Sequence, residues 1–223
     1  MTSLPAIRVI LETSYQNCWN QNEWNLHIAW QDCAGAGWAD DISKWPVDAT
    51  KIFEDDQHVL ILGSLKSACE IEQVNANLNV NINIVVTMNA GDKDPKRHGE
   101  RDCYKTYYDE LDIVNLRYDG RDLVSSQRNE YETQKAEYKA RWGMVCRDIV
   151  HLEAVNPRGK TTILFHCFGG LNRSSSALCA FLILQKKNSV ETAARTLVEH
   201  RAGQQYWKER DYFIEGLLEL KSL

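Results

Sequence analysis

The chain has 223 residues and a formal net charge of −5 at pH 7, a length that fits one large domain or a catalytic domain with an appendage, and a charge that argues against indiscriminate nucleic-acid binding. Seven cysteines are an odd number and too sparse for a disulfide scaffold, so a reduced setting is expected, cytoplasmic or nuclear. No N-terminal apolar run has the form of a signal peptide, and the longest apolar block, Ala177 to Leu184, is far shorter than a membrane span, which predicts a soluble protein without membrane attachment.

Residues 1–56 differ in texture from the remainder. Trp19, Trp24, Trp30, Trp38 and Trp45 crowd this segment, with strand-like runs at Ala6 to Leu11 and Trp24 to Trp30, and it ends near the acidic Glu54-Asp55-Asp56. It is read as a small, Trp-rich, β-containing extension whose aromatic side chains pack or present a binding surface. From His58 the pattern becomes regular. Val59 to Leu62 predicts a strand, about Leu65 to Val74 a helix, and Ile82 to Met88 a second buried strand. Asp92 to Arg101 is a charged loop carrying Lys93, Lys96, Arg97, His98 and Arg101, either simply solvated or attractive to acidic substrates. Ile113 to Leu116 is another strand, followed by the turn Tyr118-Asp119-Gly120-Arg121-Asp122. Between about Gln127 and Ala154, the apolar positions Tyr131, Tyr138, Trp142, Val145, Ile149 and Leu152 recur at helical spacing and predict one long amphipathic helix. Thr161 to Phe165 reads as a buried strand and Ser175 to Lys187 as a buried helix, with His166 to Ser174 as the loop between them. Asn188, with Glu191 three residues on, predicts a helix cap, Val190, Ala194, Leu197 and Val198 give that helix a buried face, and a last helix passes through Phe213, Ile214, Leu217 and Leu220. Strands early and helices late predict an α/β domain with a central sheet covered by helices.

The loop His166-Cys167-Phe168-Gly169-Gly170-Leu171-Asn172-Arg173-Ser174 carries the chemistry. A turn from a strand end into a helix start aims successive N–H groups at one point, and the helix dipole adds positive charge there, which suits a phosphate. Gly169 and Gly170 let the backbone approach that anion and adopt dihedrals a Cβ would forbid. Arg173 can fork two N–H bonds onto phosphate oxygens. The same field favours the thiolate of Cys167, and Ser174 can donate a hydroxyl hydrogen bond to it. His166, next to the nucleophile, is expected to order the loop backbone.

This segment resembles the His-Cys-x-x-Gly-x-x-Arg-Ser/Thr signature of the protein tyrosine phosphatases, matched at His166, Cys167, Gly170, Arg173 and Ser174. Leu60-Ile61-Leu62-Gly63-Ser64, with Ala68 after it, resembles the opening of dual-specificity phosphatases. The resemblance covers about residues 57–223 and implies a central, mostly parallel sheet flanked by helices, with Cys167 as nucleophile, Arg173 and the loop residues His166, Phe168, Gly169, Gly170, Leu171 and Asn172 holding phosphate, and Ser174 assisting. It further implies a general acid on a loop upstream of the cysteine. Asp119 matches that position, with Asp122 as the fallback; a glycine-flexed loop lets an acid close over substrate. No counterpart of a tyrosine-recognition loop is seen, so the expectation is an atypical dual-specificity phosphatase acting on phosphotyrosine and phosphoserine/threonine of proteins. Neither metal nor cofactor is expected, since none of the six histidines belongs to a convincing ligand cluster. Two alternatives stand beside this. Gly170-Leu171-Asn172-Arg173 resembles the RNA 5′-triphosphatases related to mRNA capping enzymes, and a pseudophosphatase would bind phosphorylated partners without turnover, although it would usually lack Cys167.

Overall fold

The computed structural model describes residues 3–7, 9–10, 47–89, 107–120, 128–155, 157, 159–201 and 211–220. Its centre is a five-stranded sheet in the order β1-β2-β5-β3-β4, formed by β1 (Thr50–Glu54), β2 (His58–Gly63), β3 (Ile84–Thr87), β4 (Val114–Arg117) and β5 (Thr161–His166). β2, β5, β3 and β4 run parallel, and only β1 is antiparallel, with a bulge between Lys51 and Phe53. The expected mostly parallel sheet is therefore present. β1 lies within residues 1–56, so the sheet begins ahead of residue 57.

The inner strands are apolar on both faces because helices cover both. Leu60, Leu62, Ile84, Val86, Ile163 and Phe165 point to one core, and Val59, Ile61, Val85 and Leu164 to the other. This is the continuous apolar run that a parallel sheet buried on both sides requires. The second core is closed by the short helices α1 (Leu65–Cys69) and α2 (Ile71–Leu78) together with Tyr108 and Ile113. The larger core is closed by α3 (Arg128–Val155), α4 (Arg173–Leu184), α5 (Val190–His200) and α6 (Asp211–Leu220). Tyr138, Trp142 and Phe213 are fully buried where α3 meets α6, with the Tyr138 and Phe213 rings edge-on at 4.8 Å. No helix among the described residues is long and apolar enough to cross a membrane.

Three local expectations are corrected. Ala6 to Leu11 is not a strand: residues 4–7 and 9–10 are helical. Ile7 and Ile10, three apart, share a buried face while Val9 is exposed, so packing against the larger core overrides the β-branched composition. The helix read from Leu65 to Val74 is broken at Glu70 (φ −122°, ψ 48°). There the Ala68 carbonyl takes a hydrogen bond from the Tyr108 hydroxyl at 2.9 Å. The cap of α5 is Ser189, not Asn188: its hydroxyl accepts from the Thr192 N–H at 3.0 Å, in the extended conformation a cap needs. The strand read at Trp24 to Trp30, the five N-terminal tryptophans and the charged loop from Asp92 to Arg101 lie outside the described residues.

Candidate active site

The parallel register sets the site. Across the sheet, Arg117 at the end of β4 stands opposite Thr87 of β3, which stands opposite His166 of β5. Cys167 and Asp119 therefore leave the same edge of the sheet with one strand between their own, about 10 Å apart at the usual strand spacing. The carboxyl ends of parallel strands are where open α/β sheets place their ligands.

Cys167 is 2 % exposed, at the floor of the loop. The Ser174 hydroxyl donates to its Sγ at 3.2 Å, and the N–H groups of Ser174 and Gly170 also hydrogen-bond to it. Burial pushes the thiol up, but the Arg173 guanidinium and these three donors outweigh it and hold Cys167 below its ordinary value. At two other cysteines burial prevails, with only Arg147 opposing it at Cys146. Cys146 is pushed up to about 12, and Cys179 is raised as well.

Arg173 starts α4, so its side chain and the helix N-terminus face the loop together. Its Nη1 donates to the Gly120 carbonyl at 2.9 Å, which binds the arginine to the Asp119 turn. Asp119 itself is exposed, between the buried Tyr118 and Gly120. Asp122 lies outside the described residues. In the loop, Phe168 is buried and its carbonyl accepts from Leu65 N–H at 3.0 Å, while Gly169, Leu171 and Asn172 are partly exposed. The Ser175 hydroxyl donates to the carbonyls of Leu171 and Asn172, at 2.5 and 2.9 Å, and so holds the turn into α4.

Gly170 is the glycine the loop cannot replace. Its φ is +66°, and a Cβ there would stand 2.6 Å from the Gly63 carbonyl oxygen and 3.0 Å from Arg201 Nη2. Behind it, Arg201 donates to the Leu62 carbonyl at 3.2 Å and to Asp48 Oδ2 at 2.7 Å. Asp48 Oδ1 in turn accepts from Ser64 N–H and Ser67 Oγ–H, each at 3.2 Å. Both members of this ion pair are 9 % exposed, so removing either would leave a buried charge uncompensated. The pair sets the backing against which Gly170 fits.

His166 holds the loop from the sheet side. Thr87 Oγ1 donates to Asn115 Oδ1 at 2.9 Å and lies 2.8 Å from His166 Nε2, while Nδ1 faces the Cys167 carbonyl. Complete burial, opposed only by the Cys167 carbonyl 3.3 Å from Nδ1 and reinforced by Arg117 and Arg173, pushes the imidazole down to about 4. It is neutral at physiological pH, and it touches the loop backbone at the Cys167 carbonyl. A folded-state pKa below the unfolded value of 6.5 contributes stability that is complete above pH 6.5 and is lost as pH falls from 6.5 towards 4. The loss is about 3 kcal/mol by linkage. Denaturant midpoints measured through this window should fall less steeply in His166→Asn than in the wild type; parallel slopes would show that the ring does not titrate this way.

The structure thus brings Cys167, Arg173, Ser174 and His166 together with the loop amides, and sets the Asp119 turn against Arg173. Sequence reasoning missed Asn115, Thr87, Asp48 and Arg201, which support the loop from behind. Asp48 and Arg201 are 153 residues apart, and nothing local links them.

No protein-family model and no curated protein matches the sequence. Solved structures do. Human DUSP28 superposes with a TM-score of 0.51 at 16 % identity, over 79 % of this chain and 95 % of that one. A mouse putative dual specificity phosphatase complexed with zinc tungstate superposes with a TM-score of 0.51 at 14 % identity, over 81 % and 90 %. The protein has the fold of the cysteine-dependent protein tyrosine phosphatases, in the form seen in dual-specificity phosphatases.

Proposed function

We propose that the protein is a phosphatase that hydrolyses phosphomonoesters, phosphotyrosine and phosphoserine/threonine of proteins, through a phosphocysteine intermediate. The observation that carries this reading is the Cys167 thiol, held below its ordinary pKa by Arg173, the Ser174 hydroxyl and the amides of Gly170 and Ser174. A buried thiolate surrounded by donors at a helix N-terminus suits attack on phosphorus, because the same donors receive the charge that spreads over the phosphoryl oxygens.

In the first step Cys167 Sγ forms a bond to phosphorus while the bond from phosphorus to the ester oxygen breaks. Arg173 and the loop amides hold the remaining oxygens, and the Asp119 carboxylic acid gives its proton to the departing oxygen. In the second step water attacks phosphorus, the Asp119 carboxylate takes its proton, and the sulfur–phosphorus bond breaks to return the thiolate. Ser174 donates to Sγ throughout and eases that departure.

The RNA reading rests on Gly170-Leu171-Asn172-Arg173, and one panel separates it from the first. Phosphotyrosine and phosphothreonine peptides, phosphoinositides and 5′-triphosphorylated RNA are assayed with Cys167→Ser as the blank. Release of phosphate from the peptides above the blank supports the protein-phosphatase reading. Turnover of the RNA alone would overturn it in favour of the triphosphatase, and binding of phosphopeptide without turnover would make the protein a phospho-binding module.

A further inference from the structure

The Asp119 turn is anchored on both sides, by α3 at Tyr118 and by close packing at Gly120. Tyr118 is 6 % exposed, and its N–H donates to the Thr87 carbonyl at 2.8 Å. Its hydroxyl reaches α3 and donates to Asp148 Oδ2 at 2.6 Å. On the other side, a Cβ on Gly120 would stand 2.4 Å from the Met88 carbonyl oxygen, 3.3 Å from Arg173 Cδ and 3.4 Å from the Tyr138 hydroxyl of α3. Asp119, between these two anchored neighbours, is the one exposed residue of the three. Burial and the Asp148 carboxylate both raise the Tyr118 phenol above its ordinary value, so it remains a donor at any working pH.

We propose that Tyr118 and Asp148 are positioning residues: their hydrogen bond fixes the turn from α3 and so sets where the Asp119 carboxyl meets the leaving oxygen. This rests on the reading of Asp119 as the acid. A buried tyrosine on a strand end needs only some acceptor for its hydroxyl. Here the acceptor is a carboxylate, which makes the bond charge-assisted, and it joins the residue beside the acid to the long helix α3. Removing the tether leaves the ring packed and the cradle intact, but frees the turn by the fraction of an ångström that proton transfer does not tolerate. The effect should therefore follow the demand for a proton, not the binding of phosphate.

Leaving-group dependence tests this with the full chain. Tyr118→Phe and Asp148→Ala are compared with the wild type on phenyl phosphate, whose leaving group is basic, and on 2,4-dinitrophenyl phosphate, whose leaving group departs unaided. Each variant should lower kcat/KM, which reports the first step alone, on phenyl phosphate by about tenfold. Values for the dinitrophenyl ester should stay within about twofold. Asp148→Asn, which keeps an acceptor oxygen, should recover most of the loss, and Tyr118→Phe should cost nothing further when Asp119 is already Asn. Equal slowing of both esters, or an undiminished cost in the Asp119→Asn background, would show a merely structural role and overturn the proposal. If Asp119→Asn is selective and Tyr118→Phe matches the wild type on both esters, the tether alone is overturned. If Asp119→Asn itself matches the wild type on both, the acid assignment fails and takes the tether with it. Melting curves confirm that each variant is folded.

Discussion

Cys167→Ser is expected to lower kcat on any phosphomonoester by on the order of 10⁵-fold or more, the scale at which loss of a nucleophile acting within a unit is felt. The substitution changes one atom, and the loop has been built for the atom it removes. Arg173, the Ser174 hydroxyl and the amides of Gly170 and Ser174 suffice to hold a thiol below its ordinary value. They cannot ionise an alcohol, whose proton is several orders of magnitude harder to remove, so the serine presents a neutral and weak nucleophile. The donors that receive phosphate remain, so the variant should still bind a phosphopeptide while failing to turn it over. Rate and affinity together check this. A kcat within tenfold of the wild type would remove Cys167 from the reaction.

Asp119→Asn should slow esters with basic leaving groups by about 10²- to 10³-fold, the usual contribution of a positioned general acid. Esters with acidic leaving groups should lose far less, because their oxygen departs without a proton. Asp119 is exposed, and the carbonyl of its neighbour Gly120 is bound by Arg173 at 2.9 Å, so the turn that bears the carboxyl is tied to the arginine that starts α4. The measurement is kcat/KM, which reports the first step alone, across a series of aryl phosphates plotted against leaving-group basicity. The slope should steepen in the variant. An unchanged slope, with all members slowed alike, would assign the acid elsewhere.

What the sequence reveals and what it conceals divide along physical lines. The loop from His166 to Ser174 is legible because an anion cradle is local: a thiol, a close backbone approach and an arginine must fall within one strand-to-helix turn. The inner strands are legible because burial on both faces leaves apolar runs such as Thr161 to Phe165. The long helix α3 is legible because its buried residues recur at helical spacing over many turns. What is concealed joins positions far apart in the chain. Arg201 and Asp48 look like ordinary surface charges and turn out to be a buried pair that binds Leu62 and Ser64 behind Gly170. Asn115, between Val114 and Leu116, gives no sign that it accepts the hydrogen bond of the Thr87 hydroxyl, which also meets His166. Tyr118 and Asp148 likewise meet only once α3 has packed beside β4. Where local signals misled, as at Ala6 to Leu11 and Asn188, tertiary packing or a better-placed hydroxyl one residue along decided the outcome.

The central claim is that phosphate passes through Cys167. Rapid quenching of the wild-type protein in alkaline denaturant during turnover of phenyl phosphate, followed by mass spectrometry of its peptides without acidification, should find a phosphoryl adduct on the peptide bearing Cys167. The adduct should accumulate when Asp119 is replaced by Asn and an activated ester is used, since the water attack then lacks its base. Steady release of phosphate with no adduct on Cys167 in either protein would contradict the account.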